Sequence, residues 1–430
     1  MRSRARTRKQ PCAALTLATA VTALLLLTST SASATQPDSH SGTNSSTIAR
    51  TKLSDLISRR LLDPRLGKDV QITITDAVTG DVLAGYRSAH PMTAASNMKI
   101  VTGVNALATL GPSMRVVTQV LSGSEPTDVI LQGAGDPLLT ASQVRSLAAH
   151  AASRLPSGIP ITVHVDGDLF PPPTNAPGWE RARVNGSIGA IQALAIHGDR
   201  STHPSRTAGL IFTDALRHHG VAAHLGGNQD ASVDAAVLAR ATGHSVARAV
   251  GTMLSVSDSA IAETLFRLVA RARGLPTTWA GAREAAYASL AELGIDTTGI
   301  VLADGSGLST SDRITSAFLT SVLRVARVTQ KPRFLALFAR TALPVAGRTG
   351  TLDRSFGRYN TAPSRCASGR VQAKTGTIAG TIALSGIARP KHGHERIFSI
   401  IVNHRPTRYR TLESRRALDG LAATIEGCWR

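Results

Sequence analysis

The sequence predicts an α/β (α+β) fold, a largely antiparallel sheet flanked by helices with a strand-rich module inserted into it. Period-two apolar alternation occurs near both ends of the chain, and helical periodicity lies outside each of those strand regions. The stretch between them breaks into short apolar runs separated by turn residues.

Leu53, Leu56 or Ile57, and Leu61 recur at helical spacing, which predicts an opening helix over 47–62. Val70, Ile72 and Ile74 then alternate with Gln71, Thr73 and Thr75, and Thr79-Gly80 turns the chain into a hairpin with Val82-Leu83. Toward the C-terminus, Lys374 to Ile387 and Arg396 to Val402 read as two strands, and Ala417, Leu418, Leu421 and Ile425 mark a last helix. One sheet therefore joins both ends of the sequence. Between 113 and 240 the apolar runs Val116–Leu121, Val129–Leu131 and Ile161–Val165 are separated by Gly, Pro and Asp clusters such as Phe170-Pro171-Pro172-Pro173. Residues 241–273 are helical, with Met253, Leu254, Ile261, Leu265 and Leu268 on apolar faces. The expected organisation is an export signal over 1–34, a disordered lead-in over 35–46, the main domain over 47–112 and 241–430, and the inserted module over 113–240.

The signal rests on Arg2, Arg4, Arg6, Arg8 and Lys9, an apolar run from Ala13 to Leu27, and Ala32-Ser33-Ala34 as the cleavage site. An uncleaved anchor is the alternative, although the run is short for a span of roughly 20 apolar residues. The chain is thus expected to be exported, periplasmic or extracellular, and associated with the cell wall. Its formal charge is +20. With 3% aromatics and no nucleic-acid motif, the charge fits a carboxylate- or phosphate-rich wall better than nucleic acid. Cys366 and Cys428 remain after signal removal, and an oxidising exterior permits them to pair.

The sharpest motif is Ser96-Asn97-Met98-Lys99. Of seven lysines against 41 arginines, only Lys99 has a serine three residues before it. If Ser96 opens a helix, Lys99 lies one turn on, on the same face. A serine hydroxyl needs a base to become a nucleophile, and a buried lysine can be neutral enough to act as one. Taken alone, the spacing is common, and a lysine that caps or snorkels is the blander reading. Lys374-Thr375-Gly376-Thr377 places a glycine inside a strand, where close approach of a ligand to backbone explains it better than packing does. An ordinary hairpin lysine beside a threonine-rich edge is the alternative. Ser257-Asp258-Ser259 sits at a helix entry, where capping also accounts for it.

In this order, the three motifs form the combination found in serine β-lactamases and penicillin-binding proteins. The chain resembles the D-alanyl-D-alanine carboxypeptidase/endopeptidase family of penicillin-binding proteins that carries a large insertion between its first two motifs. The resemblance extends through Gly133-Ala134-Gly135-Asp136-Pro137, Asp166-Gly167-Asp168-Leu169-Phe170, Asp304-Gly305-Ser306-Gly307-Leu308-Ser309 and Phe398-Ser399-Ile400-Ile401-Val402-Asn403, covering residues 48–427. Most of these outer stretches read as turn chemistry, with Asp304 to Ser309 able to wall the cleft.

The resemblance implies a penicillin-binding-protein/β-lactamase-like catalytic domain acting on peptidoglycan stem peptides, acylated by β-lactams, with no cofactor and no metal. Ser96 is the implied nucleophile, Lys99 its base and Ser257 the proton relay to the leaving amine. Ser259, Lys374, Thr375, Gly376 and Thr377 form the implied substrate site, with the N–H groups of Ser96 and Thr377 facing the oxyanion. One position departs from the family: Ser259 stands where asparagine is usual, so a shorter group with one donor replaces an amide that both donates and accepts. Three functions follow as expectations: a carboxypeptidase that also serves as an endopeptidase, a wall-binding pseudoenzyme favoured by Ser259, and a serine β-lactamase.

Overall fold

The computed structural model describes residues 41–329 and 331–429. The signal segment 1–34 and residues 35–40 of the expected lead-in lie outside them. The chain divides into Met1–Ser45 and Ser46–Arg430, and the second unit is described here.

Helix α1 (Ser41–Leu61) begins before the expected 47, because Leu53 and Ile57 anchor it and the polar residues ahead of them do not oppose helix once it is nucleated. Five strands form the main sheet: β1 (Val70–Asp76), β2 (Val82–Tyr86), β8 (Val371–Ile378), β9 (Thr381–Ala388) and β10 (Arg396–Val402). Their order is β2-β1-β10-β9-β8, antiparallel throughout, so both ends of the sequence share one sheet. The run from Lys374 to Ile387, expected as one strand, is a hairpin: Gly380, at φ +77°, turns β8 back onto β9. Helix α11 (Thr411–Glu426) and α1 bury one face of this sheet through Leu53, Ile57, Leu418, Leu421 and Ile425. Cys366, beside the short α10 (Ala362–Arg365), is disulfide-bonded to Cys428 at the end of α11. Arg358 and Asp419 form a buried ion pair beneath the same helix, with Nη2 and Oδ1 2.6 Å apart.

A second sheet is drawn from residues 115–245: β3 (Arg115–Ser122), β4 (Asp128–Gln132), β5 (Ile161–Asp166), β6 (Ala223–Asn228) and β7 (Val237–Ser245), in the order β6-β5-β4-β3-β7. Helices α3 (Ala141–Ala152) and α5 (Pro204–His218) cover it. They are the crossovers that the parallel pairs β4–β5 and β5–β6 require, so this region is α/β rather than simply strand-rich. Strand β7 runs to Ser245, five residues into the stretch read as helix, because residues up to Ser245 pair with β3.

The helical layer carries the first two motifs. Helix α2 (Met98–Thr109) is surrounded by α6 (Val246–Val256), α7 (Ser259–Ala272), α8 (Trp279–Glu292) and α9 (Ser316–Val328). Every residue from Met98 to Leu107 is buried, so Lys99 has no exposed helix face to snorkel from. The loop preceding and including the short α4 (Glu180–Val184) stitches the second sheet's connections to this layer. Trp179 meets Trp279 edge-on at 5.3 Å, and the Arg267 guanidinium lies over Phe170 while donating to the Pro171 carbonyl. Among the described residues no helix is long and apolar enough to cross a membrane.

Candidate active site

Ser96 lies in a 3₁₀ turn, Ala95–Asn97, that feeds directly into α2. Ala95 holds φ +47°, a left-handed conformation that costs a Cβ-bearing residue energy and persists only when its surroundings impose it. Two glycines show what imposes it. A Cβ on Gly307 would fall 1.9 Å from the Ala95 carbonyl oxygen, and one on Gly376 would fall 2.8 Å from the Ala94 oxygen and 2.7 Å from Asn97 Nδ2. The glycine of Lys374-Thr375-Gly376 therefore makes room for the chain's own nucleophile turn. The close approach expected of a ligand is made instead by Ala94 to Asn97.

The predicted residues converge. Lys99 Nζ donates to Ser96 Oγ at 3.0 Å, to Ser259 Oγ at 3.2 Å and to the Ser306 carbonyl at 2.8 Å. Ser96 retains 8% of its surface and Lys99 none. Burial pushes the Lys99 ammonium down to about 8, against the charges of Asp304 and Glu263, which raise it. A lysine near neutral pH in its acid–base behaviour, one hydrogen bond from a serine hydroxyl, is the arrangement of an activated nucleophile.

Ser257 ends α6 in a left-handed conformation, φ +64°, and Asp258 caps α7 by accepting from the Ile261 N–H at 3.0 Å. The expected capping role is real and belongs to Asp258. It leaves Ser257 and Ser259 turned to two different lysines: Ser259 to Lys99, and Ser257 to Lys374, whose Nζ donates to Ser257 Oγ at 2.9 Å and to the Thr375 carbonyl at 2.7 Å. Burial and the charge of Lys99 hold Lys374 well below the ordinary lysine range. Thr375 Oγ1 shares a hydrogen bond with Thr351 at 2.7 Å, and Thr377 Oγ1 accepts from Arg415 Nε at 3.1 Å.

Several contributors lie outside the three motifs, among them the Asp304 to Ser309 stretch expected to wall the cleft. Asp304 accepts from the N–H groups of Ser306, Gly307 and Ser309, which fixes the loop whose carbonyl holds Lys99. It also accepts from the Ser306 hydroxyl at 3.3 Å and from Trp179 Nε1 at 2.7 Å, so a residue between the second sheet's elements reaches the support of the loop that holds Lys99. Glu263, one turn beyond Ser259 on α7, accepts from the Gly305 N–H at 2.9 Å, and burial raises its carboxyl well above the usual range. The helical spacing from Ser259 is the one signal that could have found Glu263; Trp179 has no local signal at all.

The family model for D-Ala-D-Ala carboxypeptidase 3 (S13) matches residues 53–196 and 180–425. The chain is 32% identical over 416 residues to the carboxypeptidase DacB of Mycolicibacterium smegmatis, covering 90% of this chain and 86% of that one. It is 26% identical over 450 residues to a D-alanyl-D-alanine carboxypeptidase of an Actinomadura species, covering 82% and 81%. The fold is similar to that of penicillin binding protein 4 from Haemophilus influenzae, with a TM-score of 0.71 at 22% identity over 86% of this chain and 97% of that one. It is also similar to a peptidoglycan endopeptidase of Bdellovibrio bacteriovorus, with a TM-score of 0.52 at 15% identity over 82% and 90%. The chain belongs to the D-Ala-D-Ala carboxypeptidase 3 (S13) family.

Proposed function

We propose that this site removes the terminal D-alanine from peptidoglycan stem peptides through an ester on Ser96. The observation that carries the reading is the bond from Lys99 Nζ to Ser96 Oγ, made by a fully buried lysine. Neutral Lys99 takes the Ser96 proton as Oγ attacks the penultimate D-alanine carbonyl. The N–H groups of Ser96 and Thr377 face the developing oxyanion, a role in which losing one donor typically costs roughly 10²–10³ in rate. As the C–N bond breaks, Ser257, held by Lys374 at 2.9 Å, passes its proton to the leaving amine and takes in its place the proton that Lys99 received from Ser96, which leaves Lys99 neutral again. Water then hydrolyses the ester, with Lys99 again accepting the proton. Thr375, Gly376 and Thr377 line the place of the substrate's C-terminus. A β-lactam presents the same reacting amide and acylates Ser96; the Haemophilus penicillin binding protein 4, which shares the fold, has been solved with a β-lactam.

Activity is favoured over a pseudoenzyme because Ser259 still reaches Lys99, so the lysine keeps three hydrogen-bonding partners despite the missing asparagine. The same cleft serves D,D-endopeptidase cutting if it admits a cross-linked peptide. Export to the wall follows from the N-terminal signal read in the sequence and from the substrate class. Covalent labelling with a fluorescent penicillin tests the reading: wild type labels stably, and Ser96→Ala, which deletes one hydroxyl, does not. Wild-type labelling by a folded Ser96→Ala protein would sink it, and rapid loss of label from wild type would turn the assignment toward a β-lactamase.

A further inference from the structure

The turn that carries Ser257 and Ser259 is held from outside its own layer. Asp258, between the two serines, accepts from the Ile261 N–H at 3.0 Å with Oδ1, which caps α7. Its other oxygen, Oδ2, lies 3.2 Å from Nε2 of His197, 61 residues earlier in the chain. A carboxylate only accepts, so Nε2 carries the proton of this bond. His197 belongs to the connection between α4 and α5, which lies against the loop between β4 and α3 in the second sheet. The His197 N–H donates to the Leu139 carbonyl at 2.8 Å, and the Gly135 N–H donates to the Ala193 carbonyl at 2.9 Å. A Cβ on Gly133 would fall 2.4 Å from Leu194 Cα, so the two segments meet backbone to backbone. The ring of His197 is thus fixed to the second sheet at one end and reaches the catalytic turn at the other.

We propose that His197 is a positioning residue for acyl transfer, through which the second sheet holds the Ser257-Asp258-Ser259 turn in its working geometry. The inference rests on the acyl-transfer reading and gives the inserted sheet a part in it. Ser257 stands at φ +64°, a left-handed conformation that its surroundings must impose, and it has to hand a proton to the leaving amine. The turn's other side-chain bonds stay within the catalytic domain: Ser257 to Lys374, Ser259 to Lys99 and Asp258 to its own helix. With Oδ1 alone engaged, Asp258 can pivot about the first turn of α7; the bond to Oδ2 removes that freedom. A small rotation of Asp258 moves both serines, its chain neighbours, and hydrogen bonds weaken steeply once misaligned. The His197 and Asp258 side chains keep 35% and 21% of their surface, so water can replace the bond, and its loss slows the reaction without unfolding the domain.

Saturation kinetics of penicillin acylation on the full chain decide it, read as a first-order rate at saturation and a half-saturating concentration. His197→Ala should lower the rate about fivefold, the scale of one partly exposed bond to a charged group, and move the half-saturating concentration less than about twofold. The split arises because the turn serves proton delivery rather than ligand holding. Glutamine and asparagine then separate a positioning bond from the filling of space. Glutamine carries its amide nitrogen near the place of Nε2 and asparagine near that of Nδ1, so His197→Gln should recover most of the rate and His197→Asn should not. Thermal unfolding shows whether each variant folds; if His197→Ala does not, the glutamine and asparagine variants decide between them. A His197→Ala rate within about twofold of wild type, a loss carried by the half-saturating concentration, or equal rates for the glutamine and asparagine variants overturns the inference alone. A wild type that takes no penicillin on Ser96 overturns the acyl-transfer reading and this role with it.

Discussion

Raising the pH is the perturbation that reads the base of this site most directly. Lys99 is fully buried, and its pKa falls from 10.5 to about 8 because removal from water disfavours the ammonium more than the nearby Asp304 and Glu263 stabilise it. That difference corresponds to about 3 kcal/mol against the charged form. Only the neutral amine can accept the Ser96 proton, so the active fraction grows with pH. It is about one-tenth at pH 7 and about nine-tenths at pH 9, by the ordinary titration of one group. The second-order rate of penicillin acylation should therefore climb about tenfold between pH 7 and 9, with unit logarithmic slope below about 8 and a plateau above it. Timed quenching of fluorescent-penicillin labelling across that range, with Lys99→Met as the inactive reference, measures it. A rate that is flat or falling over the range would refute the reasoning, since the lysine would then not be the titrating base at this position.

Two further outcomes follow from the same geometry. Ser259→Asn restores an amide beside Lys99, where the serine hydroxyl now sits 3.2 Å from Nζ, and should speed acylation by a D-Ala-D-Ala peptide about tenfold, or about 1.4 kcal/mol. Side-by-side acylation rates check it, and an unchanged or slower asparagine variant would show that the pocket has adapted to serine. Replacing Cys366 and Cys428 by serine opens a bridge across 62 residues and should lower unfolding stability by about 2–4 kcal/mol while leaving acylation near wild type. Urea unfolding of the two forms tests this, and coincident midpoints would count against it.

The sequence by itself put Ser96 and Lys99 within one helical turn of each other, set the order of the three motifs and predicted that both termini join in one sheet. Ser96 to Lys99 is one helical turn, and Val70 to Ile74 is plain strand alternation. Such signals are short-range, because backbone geometry repeats every few residues. Turn and crossover decisions were less legible. Gly380 splits one apparent strand into β8 and β9, and α3 and α5 emerge as helices because parallel strands demand crossovers. The tertiary structure alone decided what the motifs touch. Gly376 turned out to accommodate Ala94 to Asn97, Lys374 faces Ser257, and Trp179 supports Asp304 from 125 residues away. Arg415 meets Thr377 only because α11 packs against the sheet. Those contacts are selected by how side chains fill shared space, and no spacing along the chain encodes which distant residue will fill it.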